Sequence, residues 1–233
     1  MATQAARWPG PTADATVGNT VDARDFLDAD PPGLPIILDL RPLLGGKTLA
    51  EIDFELLWAF IEANDLYAIE YNDAGELIIM PPMLMPGSFE ENKLLAFVTM
   101  WTLAHGGIAP SSKVVFRIPG LGGRGPDASW VSPERLAQLD PEQYRTGQIC
   151  PDFIVEIRSR NDSLIYLQRK MTEYIAHGAR LGWLIDPFNR RVAIYRPDQE
   201  PEVLENSETL SGEDVMPGFE FRVRELIFDA RLT

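Results

Sequence analysis

The chain is poor in the residues from which many catalytic sites are built. Among its 233 residues there is one cysteine, Cys150, and there are two histidines, His105 and His177. A single cysteine excludes an intramolecular disulfide framework and fits a reducing interior. So few Cys and His side chains leave little room for zinc chemistry, which usually needs several of them, and the expectation is a metal site built from carboxylates, which favour hard ions. No apolar run approaches the roughly 20 residues needed to cross a bilayer. The opening stretch MATQAARWPGPTADATVGNT lacks the continuous apolar core of a secretion signal. The expectation is a cytoplasmic protein without a membrane partner. Positive charge is also scarce, with 21 Lys and Arg against 35 Asp and Glu and a net charge of −14. That argues against a broad, sequence-indifferent surface for polyanions, which would rest on Lys and Arg contacts to phosphates. The deficit is uneven, however. Between Glu156 and Arg196 eight Arg or Lys stand against four acids, so that segment is +4 and the remainder −18.

What is present suits one large domain with an appended arm, since 45% of the residues are hydrophobic, enough for a substantial core. Residues 1–47 are rich in Pro, Gly, Ala and Asp, with a short apolar patch at Leu34–Leu40. They read as a partly extended arm, leaving 48–233 as the folded domain. Thr48 and Glu51 form a possible capping box for a helix running to Asn64. LYAIEY and ELIIM, joined by NDAG, read as a hairpin. FEENKLLAFVTMWTLAHGG reads as a helix with Ser88 as its N-cap. SKVVFRI, PDASWV and PDFIVEI are strands, and GLGGRG is a flexible turn. Residues 163–177 are helical, capped near Asn161 or Asp162 and stopped by Gly178. LGWLID and RVAIYR follow as strands around PFNR, and the tail is mostly β. This order predicts a mixed α/β (α+β) fold around a central sheet.

One stretch raises a chemical question. In CPDFIVEIRSRNDS, Glu156 sits among Phe153, Ile154, Val155 and Ile157, where an ionised carboxylate is costly without a partner. Strand alternation puts Asp152, Ile154, Glu156 and Arg158 on one face. In PDASWV, Asp127 and Ser129 share a face opposite Ala128 and Trp130. If the two strands are neighbours, Asp127 and Glu156 enter the same space and repel unless a cation lies between them. Mg²⁺ or Mn²⁺ would meet that need. A structural ion pair of Glu156 with Arg158, Arg169 or Lys170 would meet it as well. Lys170 lies at the edge of the apolar stripe formed by Leu164, Leu167, Met171, Tyr174 and Ile175. From there it could reach the acids or snorkel to solvent. His177 reads as a helix-end residue, Tyr174 and Trp183 as core, and Cys150 as a small buried hydrophobe.

From Thr48 to about Arg196 the chain resembles the Uma-two family of PD-(D/E)XK endonuclease-like proteins. The resemblance rests on IEYNDAGELIIMPP, PDASWV, PDFIVEIRSRNDS, and the run K..EYI.HGARLGWLIDP followed by RVAIYRP. It implies a restriction-endonuclease-like central mixed sheet flanked by helices, with extra β-hairpins, and a Mg²⁺ (or Mn²⁺) site. Asp127 matches the first acid of the motif and Glu156 the second. Arg158 stands where the motif name expects lysine, and Lys170 on the following helix is the match for a substitute. Glu70 looks like a further acid. The resemblance thus implies Asp127, Glu156, Lys170 and Glu70 as catalytic residues. Metal ligation falls to Asp127, Glu156, Glu70 and the Ile157 carbonyl, with DNA as substrate. Where the family often carries His or Gln near the start of a helix, this chain has Glu90, Glu91 and Asn92. A homodimer is the expected assembly, since double-strand cleavage needs two sites. The competing reading is a catalytically silent nuclease fold used for binding or assembly. Chemistry on RNA or a small nucleotide is a third.

Overall fold

The computed structural model describes residues 36–45, 47–64, 66–80, 85–160 and 162–230. Most of the arm, and the cap position Asn161, lie outside them. The chain runs through β1 (Ile36–Asp39), a 3₁₀ turn at Leu49–Glu51, α1 (Phe54–Glu62), β2 (Ala68–Asn72) and β3 (Glu76–Met80). Next come α2 (Met85–His105), β4 (Phe116–Ile118), β5 (Gly122–Arg124) and β6 (Ala128–Trp130). Two short helices, α3 (Pro133–Leu136) and α4 (Pro141–Arg145), lead to β7 (Phe153–Ile157), α5 (Leu164–Ala176), β8 (Leu181–Asp186) and β9 (Arg191–Tyr195). The tail supplies β10 (Glu202–Glu205), β11 (Leu210–Ser211), β12 (Glu220–Phe221) and a π-helical turn at Arg224–Phe228.

Ten of the strands make two five-stranded sheets rather than one central sheet, and β11 pairs with β12 in a small third sheet. The first has the order β1-β3-β2-β5-β4, and the second β10-β9-β8-β7-β6. All pairings are antiparallel except β7 with β8, which are joined through α5 as a βαβ unit, the connection a parallel pair requires. The second sheet is therefore mixed, and it is covered on both faces. Phe153, Val155 and Ile157 pack with Leu94 and Val98 of α2 in one core cluster. Ile154 and Leu184 pack with Leu167, Met171 and Tyr174 of α5 in another. The alternation read from PDFIVEI is thus the division between the two layers.

Four local readings change, each for a physical reason. The Thr48–Glu51 capping box closes only the 3₁₀ turn, because Ile52 is extended. The α-helix starts after Asp53, whose side chain accepts from the Glu55 N–H. Helix α2 begins at Met85, three residues before Ser88, with Pro86 in the first turn, where a missing N–H costs nothing. Ser163, not Asp162, caps α5 by accepting from the Tyr166 N–H at 3.1 Å. Finally, GLGGRG is not a flexible turn. It contains β5, paired with β2 through Tyr71↔Gly123.

The glycines of β5 belong there for lack of space. A Cβ on Gly123 would lie 2.2 Å from Cε1 of the Tyr71 ring, and Gly122 takes φ +106° against the Tyr71 carbonyl. Gly123→Ala is expected to displace that buried ring and to lower unfolding free energy by about 1–3 kcal/mol, the range typical of overpacking. Urea denaturation of the two proteins measures it, and equal midpoints would show that the ring has room to move.

Candidate active site

Four side chains from four elements meet where β6 and β7 lie beside α5. Ala128 pairs with Val155, which brings the start of β6 alongside the end of β7. Asp127 thereby reaches the strand end, where its Oδ2 accepts the Ile157 N–H at 2.6 Å. In an antiparallel pair a residue turns its N–H and C=O to the same side, so the Ile157 carbonyl also faces β6. Glu156 is almost completely buried, and so are Glu70 from β2 and Lys170 from α5. The Lys170 ammonium lies 2.8 Å from Glu156 Oε1 and 2.7 Å from Glu70 Oε1, and it donates to the Gly125 carbonyl at 3.2 Å. The Gly125 N–H in turn donates to Glu70 Oε1 at 2.9 Å. An ammonium has three protons, and here each has an acceptor.

The lysine does not snorkel, because both neighbouring turns of its helix face the same space. Tyr166 and Tyr174 lie one turn either side of it, donating to Glu70 Oε2 at 3.4 Å and Glu156 Oε1 at 3.5 Å. Tyr174, read as plain core, thus also touches the acid cluster. Glu91, in α2, is buried as well, and its charge bears on Asp127. A signal for it was present in the sequence, since Glu91, Leu94 and Val98 share one helical face. The tyrosines carried a similar signal, at i−4 and i+4 from Lys170.

The electrostatics follow from crowding acids in a dry space. Burial pushes the Asp127 carboxyl up to about 7, the Ile157 N–H acting against the shift and Glu91 adding to it. Burial likewise raises Glu156 well above the carboxylate range, with Lys170 opposing and Asp127 and Glu70 reinforcing. For Lys170 burial disfavours the charge, but Glu156 and Glu70 outweigh it and hold the amine protonated above its ordinary range. One ammonium therefore serves an excess of acids.

Other candidates are engaged elsewhere. Arg158 pairs with Asp186 of β8 at 3.0 Å, and Asp152, at the far end of β7, holds the Ser132 N–H and the Arg135 guanidinium. Asp162 accepts the Ser159 N–H at 2.7 Å and shapes the turn into α5. The +4 segment is not an open basic patch. Seven of its eight cations sit in ion pairs, and Arg160 lies over the Phe188 ring at 5.2 Å.

Among the described residues no three His, Cys, Asp or Glu side chains have their donor atoms gathered for a metal ion. The residues nonetheless fit a hard cation. Mg²⁺ needs only one or two carboxylates and keeps its remaining waters, and half-buried Asp127 lies beside buried Glu156 and repels it. No described helix is long and apolar enough to cross a membrane.

The fold is that of a restriction-endonuclease-like protein. The model of the Uma2 family, described as "Putative restriction endonuclease", matches residues 53–224, and the chain belongs to that family. Several solved chains are similar to it. One is the crystal structure of "a putative nuclease belonging to DUF820" from Anabaena variabilis, with a TM-score of 0.60 and 21% identity over 68% of this chain and 89% of that one. At that identity the likeness bears on the fold. No curated protein matches the sequence.

Proposed function

We propose that the protein is a divalent-metal-dependent endonuclease that hydrolyses phosphodiester bonds in DNA. The observation that carries this reading is the buried convergence of Glu156 and Glu70 on one ammonium, Lys170, with half-buried Asp127 beside Glu156, in a chain of this family. Asp127 and Glu156, with the Ile157 carbonyl and Glu70, would hold Mg²⁺ or Mn²⁺. Such an ion, when bound, polarises a phosphoryl oxygen and acidifies a water. Lys170 would orient that water or neutralise charge growing on the phosphate. To do so it must give up one of its three present acceptors, and Glu156, once committed elsewhere, is the acceptor to lose. Tyr166 and Tyr174 keep the two glutamates in place meanwhile.

A second reading is favoured by one specific fact: Lys170 pairs directly with both Glu70 and Glu156. In a silent binding module that ion triad would be purely structural. The test is cleavage of supercoiled plasmid, single-stranded DNA and RNA with Mg²⁺, Mn²⁺ or EDTA, comparing the native chain with Glu156→Gln. Metal-dependent nicking of DNA, lost in a folded Glu156→Gln variant, is the expected result. Cleavage of RNA alone would change the substrate. No cleavage, with no rise in melting temperature on adding either metal, would favour the silent module.

A further inference from the structure

Helix α2 presents an apolar face with no cover among the described residues. Its inner side is buried at Glu91, Leu94, Val98 and Thr102. Its outer side follows the same helical period through Met85, Phe89, Asn92, Ala96, Met100 and Leu103, all exposed. Met85 is 86% exposed, Met100 72%, Leu103 82% and Phe89 55%. A helix that is apolar on both sides belongs in an interior, and large apolar patches on a soluble surface mark interaction sites.

From the arrangement of this face we infer that α2 packs against α2 of a second copy of the chain, antiparallel, about a two-fold axis at Ala96. Two features select that occupant. First, the face is self-complementary. Phe89 and Leu103 each lie seven residues from Ala96, two helical turns in either direction. Rotation about the axis sets Phe89 on Leu103 of the partner copy and Asn92 beside Met100 of the partner copy. The small Ala96 at the centre lets the helices approach closely, and an isologous dimer requires just such a patch. Second, the face is uncharged from Leu94 onward. The stretch Leu94–Ala104 contains no Asp, Glu, Lys or Arg, in a chain with a net charge of −14 and 24% charged residues. Two such copies repel each other, so they can meet only where charge is missing. A nucleic acid would want cations there. The nearest is Lys93, whose ammonium lies over the Phe89 ring at 4.1 Å and donates to the Leu226 carbonyl.

Because Glu91 lies on the inner face of the same helix, this contact would fix the separation of two active sites. That consequence rests on the nuclease reading. The interface itself does not, and mass measurements test it without any cleavage assay.

The experiment uses the full chain. Light scattering behind size exclusion should return twice the 26.1 kDa of one chain. Ala96→Cys, oxidised with copper phenanthroline, should give a disulfide-linked dimer. Ile165→Cys, placed at a 69% exposed position on α5, should not. Native Cys150 stays silent, being buried with its thiol pushed up to about 12. Leu103→Glu should halve the mass in solution and leave the fold intact by circular dichroism. A monomeric native chain, as when residues 1–35 cover this face, overturns the inference. So does a Leu103→Glu protein that remains a dimer. A dimer in which Ala96→Cys links no better than Ile165→Cys, as expected if association runs through exposed Trp58 and Phe60 of α1, overturns it too.

Discussion

Lys170→Met is expected to lower the unfolding free energy by about 3–5 kcal/mol in EDTA, the usual cost of removing one partner from a buried charge pair. The methionine keeps most of the volume, so packing contributes little to the loss. What it leaves behind is Glu70 and Glu156 buried together without a counter-charge, beside an Asp127 that already repels Glu156. Pairing the change with Glu156→Gln should return a large part of the stability, since the double variant buries one charge fewer. A double-mutant cycle read by urea denaturation isolates that coupling. If Lys170→Met costs less than about 1 kcal/mol, as exposed pairs do, the ammonium is not what holds the acids together. The same substitution should abolish cleavage, on the reading that this ammonium serves the reacting phosphate. The stability and activity losses separate in the double variant, which regains the fold without regaining turnover.

Asp127→Asn is expected to change how the protein responds to pH and to metal. The Asp127 carboxyl rises from an ordinary value of 3.8 to about 7 on folding, chiefly through burial. Between those values the native chain holds a proton that the unfolded chain has released. This group's contribution to stability is therefore complete below about pH 4 and is lost as pH climbs through 7. In EDTA the melting temperature should fall between pH 5 and pH 8, and Asp127→Asn should flatten the fall. Part of the slope will survive in the variant, because Glu156 is raised in the same direction. A divalent ion must displace the Asp127 proton, so metal-induced stabilisation should grow as pH approaches 7. In the variant that gain should largely vanish, and cleavage should drop by at least about 10²-fold, the upper cost of losing even an outer partner of a metal. A melting temperature that rises with metal equally in both proteins would remove Asp127 from the ligand set.

How much of this was legible beforehand depended on the range of the interaction concerned. The division of PDFIVEI into two faces was legible, because side-chain direction in a strand repeats every second residue whatever lies around it. So was the convergence of Asp127 and Glu156, once β6 and β7 were taken as neighbours. Helix α5 and its core stripe were equally plain, although its cap was misplaced by one residue, within the normal fraying of helix ends. Lys170 was recognisable as a candidate but not as a buried residue. A lysine at the edge of a stripe turns outward unless something inside rewards it, and here the reward comes from Glu70 in β2, a hundred residues earlier.

By itself, then, the sequence determined the periodic features of this protein: which strand faces pack inward, where the βαβ unit falls, and which acids lie on one side of β7. It also ruled out an intramolecular disulfide, since the chain has a single cysteine. Only the tertiary structure decided the matters that depend on distant partners. It divided most of the strands between two five-stranded sheets and put a strand, Gly122–Arg124, inside GLGGRG against the Tyr71 ring. It buried Glu91 where its charge acts on Asp127, and it neutralised most of the +4 segment through acids such as Glu205, Asp229 and Glu213. Periodicity is a property of neighbouring residues, whereas ion pairing and ring packing join residues that only the folded chain brings together.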